Sequence, residues 1–262
     1  MSDFMRTRKI KEIINHQPGI KSFRFDWPEK IEPGQFILAW LPGVDEKPFA
    51  LSGVFGDEIE ITIKAVGPFT RAMMETRPGQ FIGLRGPFGK GFSVGEGQIL
   101  IGGGIGNAPL RFHAHKLREA KIPFKWLIGV KAANDLAFRD ELLSQPECII
   151  FSEDGSIGQK GMITQGLNEL AQSQTIKTVV AAGPEPMLLA VHRFARSQKS
   201  ETAVQLSFER YMKCAVGLCG QCCLDGTGLR ICVEGPVLTA DQLEGVTELG
   251  LPHRSASGRR HS

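Results

Sequence analysis

No stretch of this 262-residue chain approaches the roughly 18 consecutive apolar residues that a bilayer-spanning helix needs, so it does not read as a helical membrane protein. Its opening residues lack the apolar core of about 7–15 residues that marks a secretory signal, and the chain is expected in the cytoplasm. Blocks of about five or six like charges are missing too. The 31 Lys and Arg against 28 Asp and Glu leave a formal charge of only +3, which gives no footprint for nucleic acid or an anionic membrane. Cysteine is sparse outside one place. Of six in the chain, only Cys148 lies outside the stretch from Cys214 to Cys232, a distribution that excludes a disulfide scaffold and, in a reducing compartment, points to a metal site. Cys148, in the apolar run 148–151, reads as a buried strand residue. The six histidines form no catalytic constellation; His113 and His115, two apart on an expected helix, face different directions.

What is present suits about two domains by length, and a 42% hydrophobic composition is enough for real cores. From Thr7 to about Gly91 the pattern is one of short segments at 22–26, 35–40, 58–65 and 80–85, broken by Gly and Pro, as antiparallel strands are. The turn Pro-Gly-Gln-Phe occurs at 33–36 and again at 78–81, each time starting a strand, and the whole predicts a small barrel or sandwich. After about Glu96 the rhythm changes. Apolar runs at 99–101, 124–130, 148–151 and 178–182 alternate with helix-length segments, which predicts a parallel sheet covered by helices. The expected division is 1–95 for the β domain, 96–202 for the α/β domain, 203–245 for a compact cysteine segment and 246–262 for a tail whose end, 255–262, is expected to be disordered.

The cysteines carry the strongest signal. Cys214, Cys219, Cys222 and Cys232 follow the spacing C-x4-C-x2-C with a fourth Cys later, the ligand arrangement of plant-type [2Fe-2S] ferredoxins. Gly217 and Gly220 permit positive φ where backbone N–H groups must approach a cluster, and the turn at 225–228 returns the chain to Cys232. A zinc site, which usually shows paired C-x2-C units, and unliganded thiols are the alternatives. Cys223 is the spare, because using it would break the x2 spacing.

Residues 99–110 read as a strand, a glycine-rich turn and a helix with Pro109 in its first turn. Gly102, Gly103, Gly104, Ile105, Gly106 and Asn107 make an imperfect version of the dinucleotide fingerprint, since Asn107 stands where a third glycine is wanted. A tight turn that binds nothing is the plain alternative. No acid closes the next strand, where Lys131 stands instead, so NAD and NADP are both open. Glu153, Asp154 and Gly155, and likewise Gly183 and Pro184, follow later strands and fall on the same carboxyl-end rim.

In this order, a β domain, a Gly-Gly-Gly-Ile-Gly domain and the cysteine segment resemble the ferredoxin-reductase superfamily, in particular the electron-transfer subunits of dihydroorotate dehydrogenase, up to about Leu243. The echoes lie at 33–36, 86–92, 102–110, 153–156, 183–187 and 232–237. The resemblance implies an α+β multidomain protein: an N-terminal antiparallel β-barrel for FAD, a central doubly wound parallel α/β domain for NAD and a small C-terminal [2Fe-2S] domain. The family's flavin motif aligns with Lys47, Pro48, Phe49 and Ala50, where Lys replaces Arg and Ala replaces Ser. Lys47 is expected to neutralise a phosphate and Phe49 to lie against a ring, with Ser52 or a backbone N–H in place of the missing hydroxyl. Thr62, Ile63, Lys64, Gly67 and Thr70 resemble the second flavin segment. Ala182 replaces a cysteine that many relatives carry near the nicotinamide. The implied route runs from an FMN-containing catalytic subunit that oxidises dihydroorotate, in a heterotetramer of two of each chain, through the cluster and FAD to NAD+. No catalytic acid or base is expected here. The rivals are a subunit of a hydrogenase or a ferredoxin:NADP oxidoreductase, and a non-catalytic metal-binding interaction protein whose barrel has lost its flavin.

Overall fold

Strict alternation in segments such as Glu-Ile-Glu-Ile-Thr-Ile-Lys gives each strand one apolar face, and seven strands turn those faces inward. They are β1 (Arg6–Lys9), β2 (Glu12–Gln17), β3 (Ile20–Asp26), β4 (Phe36–Leu41), β5 (Asp45–Phe55), β6 (Glu58–Lys64) and β7 (Phe81–Phe88), with helix α1 (Pro68–Met74) before β7. Their order is β1-β7-β4-β5-β6-β3-β2 with antiparallel neighbours throughout, a curled sheet that forms a half-barrel and leaves β1 and β2 at its ends. In register, Phe23 faces Ile61 and Phe25 faces Ile59, and these side chains with Ile37, Leu51 and Leu84 make the core. This is a computed structural model that describes residues 4–198, 202–252, 254–255 and 257–259.

Strand β5 contains Pro48, which sequence pattern alone does not place in a strand. Its position explains the tolerance. β5 pairs with β4 over Asp45–Ala50 and with β6 only from Leu51 onward, with a bulge between Leu51 and Gly53 where it changes partner. Around Pro48 one edge therefore lacks a ladder partner, and no strand needs the missing N–H.

The second sheet is built from β8 (Gln98–Gly103), β9 (Phe124–Val130), β10 (Cys148–Ser152), β11 (Gln159–Lys160), β12 (Thr178–Ala182), β13 (Ala203–Ser207) and β14 (Val237–Thr239), in the order β11-β10-β9-β8-β12-β13-β14. All pairs are parallel except β13 with β14. Helices α2 (Asn107–Glu119) and α3 (Arg139–Leu143) cover one face through Leu110, Ala114 and Leu142, and α4 (Ile163–Ser173) and α5 (Glu185–Ser197) cover the other through Leu167, Leu188 and Val191. Sequence reading opened the cysteine segment at residue 203, yet Ala203–Ser207 forms β13 inside this sheet, and β14 returns from beyond the cysteines to cap its edge. One core accordingly holds Phe36, Leu38 and Phe88 of the half-barrel, Ile99 and Val179 of the sheet, and Cys222, Ile231 and Cys232 of the cysteine segment.

A buried ionic network joins the half-barrel to α2. Glu60, with 1% of its side chain exposed, accepts from Arg111 Nη1 of α2 at 2.9 Å, Ser52 Oγ at 2.9 Å and Arg24 Nε at 3.0 Å. Arg111 Nε also donates to Glu141 of α3 at 2.7 Å. His113 lies fully buried against Gln98 while His115 meets Glu141, so the two point apart as their spacing predicts. Of the tail end, Ser255 accepts from Gln221 Nε2 at 2.9 Å, whereas 256 and 260–262 lie outside the described residues.

Glu60→Ala leaves two guanidinium groups beside an apolar gap, and a loss of about 3–5 kcal/mol is expected. It would be read as a lower urea midpoint at unchanged slope. A loss under about 1 kcal/mol would mean that water reaches the site.

Candidate functional site

Two adjoining cavities lie between the half-barrel and the second sheet. The first, of about 520 Å³, is walled by the unpaired edge of β5 at Lys47, Pro48, Phe49 and Ala50, by Thr62, Ile63 and Lys64 of β6, and by Gly67 and Thr70 at the start of α1. Ser207 at the end of β13 and the segment 208–212 after it close its far side. The second, of about 660 Å³, lies at the carboxyl ends of β8, β9 and β12, where open parallel sheets bind ligands. Lys64, Ile105, Gly106, Gly183, Phe208 and Glu209 line both, so two ligands would meet across this partition. Both volumes suit bound cofactors.

The glycine loop explains how thin the partition is. Gly104–Gly106 is a single 3-10 turn leading into α2. A Cβ on Gly106 would stand 2.4 Å from the Ala182 carbonyl oxygen, so Gly106 performs the close packing that the fingerprint assigns to its third glycine. Asn107 is buried, and its Nδ2 donates to the Gly104 carbonyl at 2.9 Å. It shapes the loop together with Gly102, and neither residue lines a cavity.

Most of the expected residues are gathered here. Gly103, Gly104, Glu153 and Pro184 line the second cavity, Pro109 the first, and Ile105, Gly106 and Gly183 both. Asp154 and Gly155 do not line either: Asp154 Oδ1 accepts from the N–H and hydroxyl of Ser156 and shapes the turn. Ser52 is a correction. The bulge at Leu51–Gly53 turns it inward, fully buried, where it donates to Glu60 Oε1 at 2.9 Å and meets Thr62 Oγ1 at 2.7 Å, away from the cavity. Thr70 Oγ1 caps α1 by accepting from the N–H groups of Val66 and Gly67 at 2.9 Å each. Lys47 pairs with Asp45 at 2.5 Å and lies 4.8 Å above the ring of Tyr211, while Phe49 stacks on Phe69 at 5.7 Å.

The four thiols come as two close pairs. Cys214 Sγ accepts from Cys219 N, and Cys222 Sγ accepts from Cys232 N, each at 3.4 Å. Among the described residues no three His, Cys, Asp or Glu converge as ligands of one metal ion. Burial raises the Cys214 thiol, but bonds from the Cys219 and Val216 N–H groups and the Cys219 side chain outweigh it and bring the value down to about 7. The neighbouring Cys232 thiol lowers Cys222 to about 6 against its burial, and that contact raises Cys232. Cys219 is exposed at the surface beside Leu218, which is 85% exposed. Gly217 and Gly220, at φ +78° and +67°, shape the loop that carries Cys214, Cys219 and Cys222. Cys223 sits apart with its thiol raised by burial and by Cys222. Two thiolate pairs fit a group of two iron atoms better than one tetrahedral ion.

Sequence reasoning missed Arg85, Tyr211 and Arg254. Arg85 binds both carboxylate oxygens of Glu46 and donates to the carbonyls of Lys213 and Cys214 at 2.8 Å each, which pins the thiol loop to β7. A lone arginine in a strand carries no pattern that would reveal this. Tyr211 is the single tyrosine of the chain and stands three residues before Cys214, a signal that could have been read.

Residues 209–244 match the iron-sulfur cluster binding domain of dihydroorotate dehydrogenase B. A protein of Methanocaldococcus jannaschii, named "Probable dihydroorotate dehydrogenase B (NAD(+)), electron transfer subunit", is 38% identical and covers 96% of each chain. One of the same name from Thermococcus kodakarensis is 40% identical over 92% of this chain and 99% of its own. Among solved structures, an NADH-dependent reduced ferredoxin-NADP oxidoreductase superposes with a TM-score of 0.80 at 22% identity, covering 92% of this chain and 93% of that one. Phthalate dioxygenase reductase gives 0.66 at 19% identity, covering 80% and 70%.

Arg85→Met should release the thiol loop from β7. Charge-assisted bonds of this kind contribute about 1.5–3 kcal/mol, so amide exchange at 213–219 should quicken at least about tenfold while the half-barrel keeps its protection. Unchanged exchange there would show that other contacts hold the loop.

Proposed function

This chain belongs to the family of NAD+-dependent dihydroorotate dehydrogenase B electron transfer subunits, and from that premise we propose the route its electrons take. They pass from an FMN-bearing catalytic subunit, two copies of each chain assembling together, through a [2Fe-2S] cluster and FAD to NAD+, in the cytoplasm, as part of pyrimidine biosynthesis. The cluster belongs to residues 203–245, whose first strand β13 completes the nucleotide sheet, FAD to 1–95 and NAD to 96–202, with 246–262 as the tail.

What carries this reading is the order of the sites. Cys214 follows Tyr211 by three residues and Cys232 precedes Pro236 by four, and Tyr211 and Pro236 both wall the first cavity, which shares Gly106, Gly183 and Phe208 with the second. Cys214 and Cys219 would hold one iron and Cys222 and Cys232 the other, with Arg85 fixing the loop. The open edge at Pro48–Ala50 would offer backbone groups to the flavin where the side chain at position 50 offers none. Lys47, Pro48, Phe49, Thr62, Ile63, Lys64, Gly67 and Thr70 complete that wall. Gly103, Gly104, Ile105, Gly106, Gly183 and Pro184 would receive NAD, and Glu153 on the rim disfavours the extra phosphate of NADP. When bound, the cluster passes single electrons, the flavin accepts them singly and delivers two, and NAD+ takes these with a proton as hydride. Ala182 and the glycines on either side of the partition act by keeping the two ligands close, which governs hydride transfer more than any side-chain chemistry does.

Mixing the purified chain with an FMN-bearing dihydroorotate-oxidising subunit should confer NAD+ reduction that depends on dihydroorotate, with about two irons per chain and flavin released on denaturation. Iron without flavin would sink the relay, and zinc in place of iron would sink the cluster. Cys219→Ser should abolish the partner-dependent reaction yet spare NADH-to-dye activity. Loss of both activities would make the cluster structural.

A further inference from the structure

Arg254 stands on the wall of the first cavity with Tyr211 and Met212, although it lies beyond both the iron–sulfur match and every motif of the sequence. The segment that brings it there is firmly held. Glu248, 4% exposed, accepts from Arg210 Nε at 2.8 Å and from the N–H of Asp225 at 3.2 Å. Thr247 N donates to the Asp225 carbonyl at 2.9 Å, and Gly250 N donates to Glu185 Oε1 at 2.6 Å. Glu185 also accepts from Arg210 Nη1 at 2.6 Å and stands at the start of α5, on the wall of the second cavity. Arg254 itself forms an ion pair with Asp225, which lies between Cys222 and Cys232. The tail thus touches the thiol loop, the nucleotide sheet and the flavin cavity together. A buried carboxylate such as Glu248 is costly unless its oxygens are met, so its two partners specify this path and not a loose terminus.

We propose that residues 246–252 and 254–255 are a clasp closing the flavin cavity and that Arg254 is a flavin-binding residue. Its guanidinium meets negative charge on the bound flavin: the pyrophosphate in every redox state, or the ring system once it is reduced. This rests on the flavin reading of the first cavity. Guanidinium suits the role because it stays charged at any working pH and is planar, so it serves Asp225 on one edge and a ligand on another. The same ion pair ties the flavin wall to the loop between two of the thiols.

The test uses the holoprotein as purified, with FAD release after dilution followed by its fluorescence. Arg254→Gln is expected to release FAD roughly ten- to a hundredfold faster, as loss of one charge-assisted hydrogen bond implies, and Arg254→Lys, which keeps the charge without the planar fork, to fall between this and the wild-type rate. A dye-coupled titration of the flavin potential separates the two sources. A fall in potential assigns Arg254 to the reduced ring, whereas unchanged potential with faster release assigns it to the pyrophosphate. A chain ending at Pro252 keeps the Glu248 and Gly250 contacts and should release FAD as fast as Arg254→Gln, which guards against a folding defect in the point variant. Wild-type rate and potential in both would overturn the inference and leave the flavin reading standing. A wild-type protein purified without flavin would overturn both.

Discussion

Glu60 is buried to 1% exposure inside the half-barrel, and its two oxygens are met by Arg24 and Ser52 from its own sheet and by Arg111 from α2. Apolar burial can press a helix against a sheet in many registers, because it has no direction. A carboxylate with named partners admits few, since each unmet group carries its desolvation cost. The ion pair therefore fixes where α2 begins relative to β5 and β6. The beginning of α2 is the glycine turn, so the same contact sets Gly106 and Pro109 into the wall that Ala50 and Thr62 also line.

The cavity depends on a second constraint, in which β5 has to change partners. Had β5 paired with β6 along its whole length, the backbone at Pro48–Ala50 would be consumed by the ladder and proline would be excluded. The bulge at Leu51–Gly53 separates the two pairings, leaves that edge open and turns Ser52 toward Glu60. A local irregularity of the sheet supplies the open edge of the first cavity and completes the ionic network at once.

The cysteine segment is no appendage. β14 pairs with β13, Phe208 N donates to the Pro236 carbonyl at 2.9 Å, Lys90 N bonds Gly235, and Cys222 and Cys232 share a core with Phe36, Phe88 and Val179. Arg85 and the Glu248 contacts hold the loop from two further sides. Electron transfer between fixed sites benefits from such rigidity, because distance is then set by the fold and not by a linker.

The division of labour between sequence and tertiary structure can be read in particular residues. Spacing alone singled out Cys214, Cys219, Cys222 and Cys232, whose thiols the fold brings into two close pairs, and set Cys223 aside, because cysteine spacing along a short segment is a local property. The glycine turn and the carboxyl-end rim were legible for the same reason: a strand, a turn and a helix N-terminus are contiguous in the chain. Ser52 was misassigned because only the bulge decides which way it faces, and β5 was missed because Pro48 is admissible only where the neighbouring strand is absent. β13 and β14 were hidden because Ala203–Ser207 lacks the continuous apolar run that marked the other parallel strands and Val237–Thr239 is only three residues long. Arg85, Glu60 with Arg111, and the path of the tail to Arg254 join residues from about fifty to well over a hundred positions apart. The sequence determined the chemistry each segment can perform; the tertiary structure decided which segments meet, because long-range ion pairs and strand edges find their partners only in the folded chain.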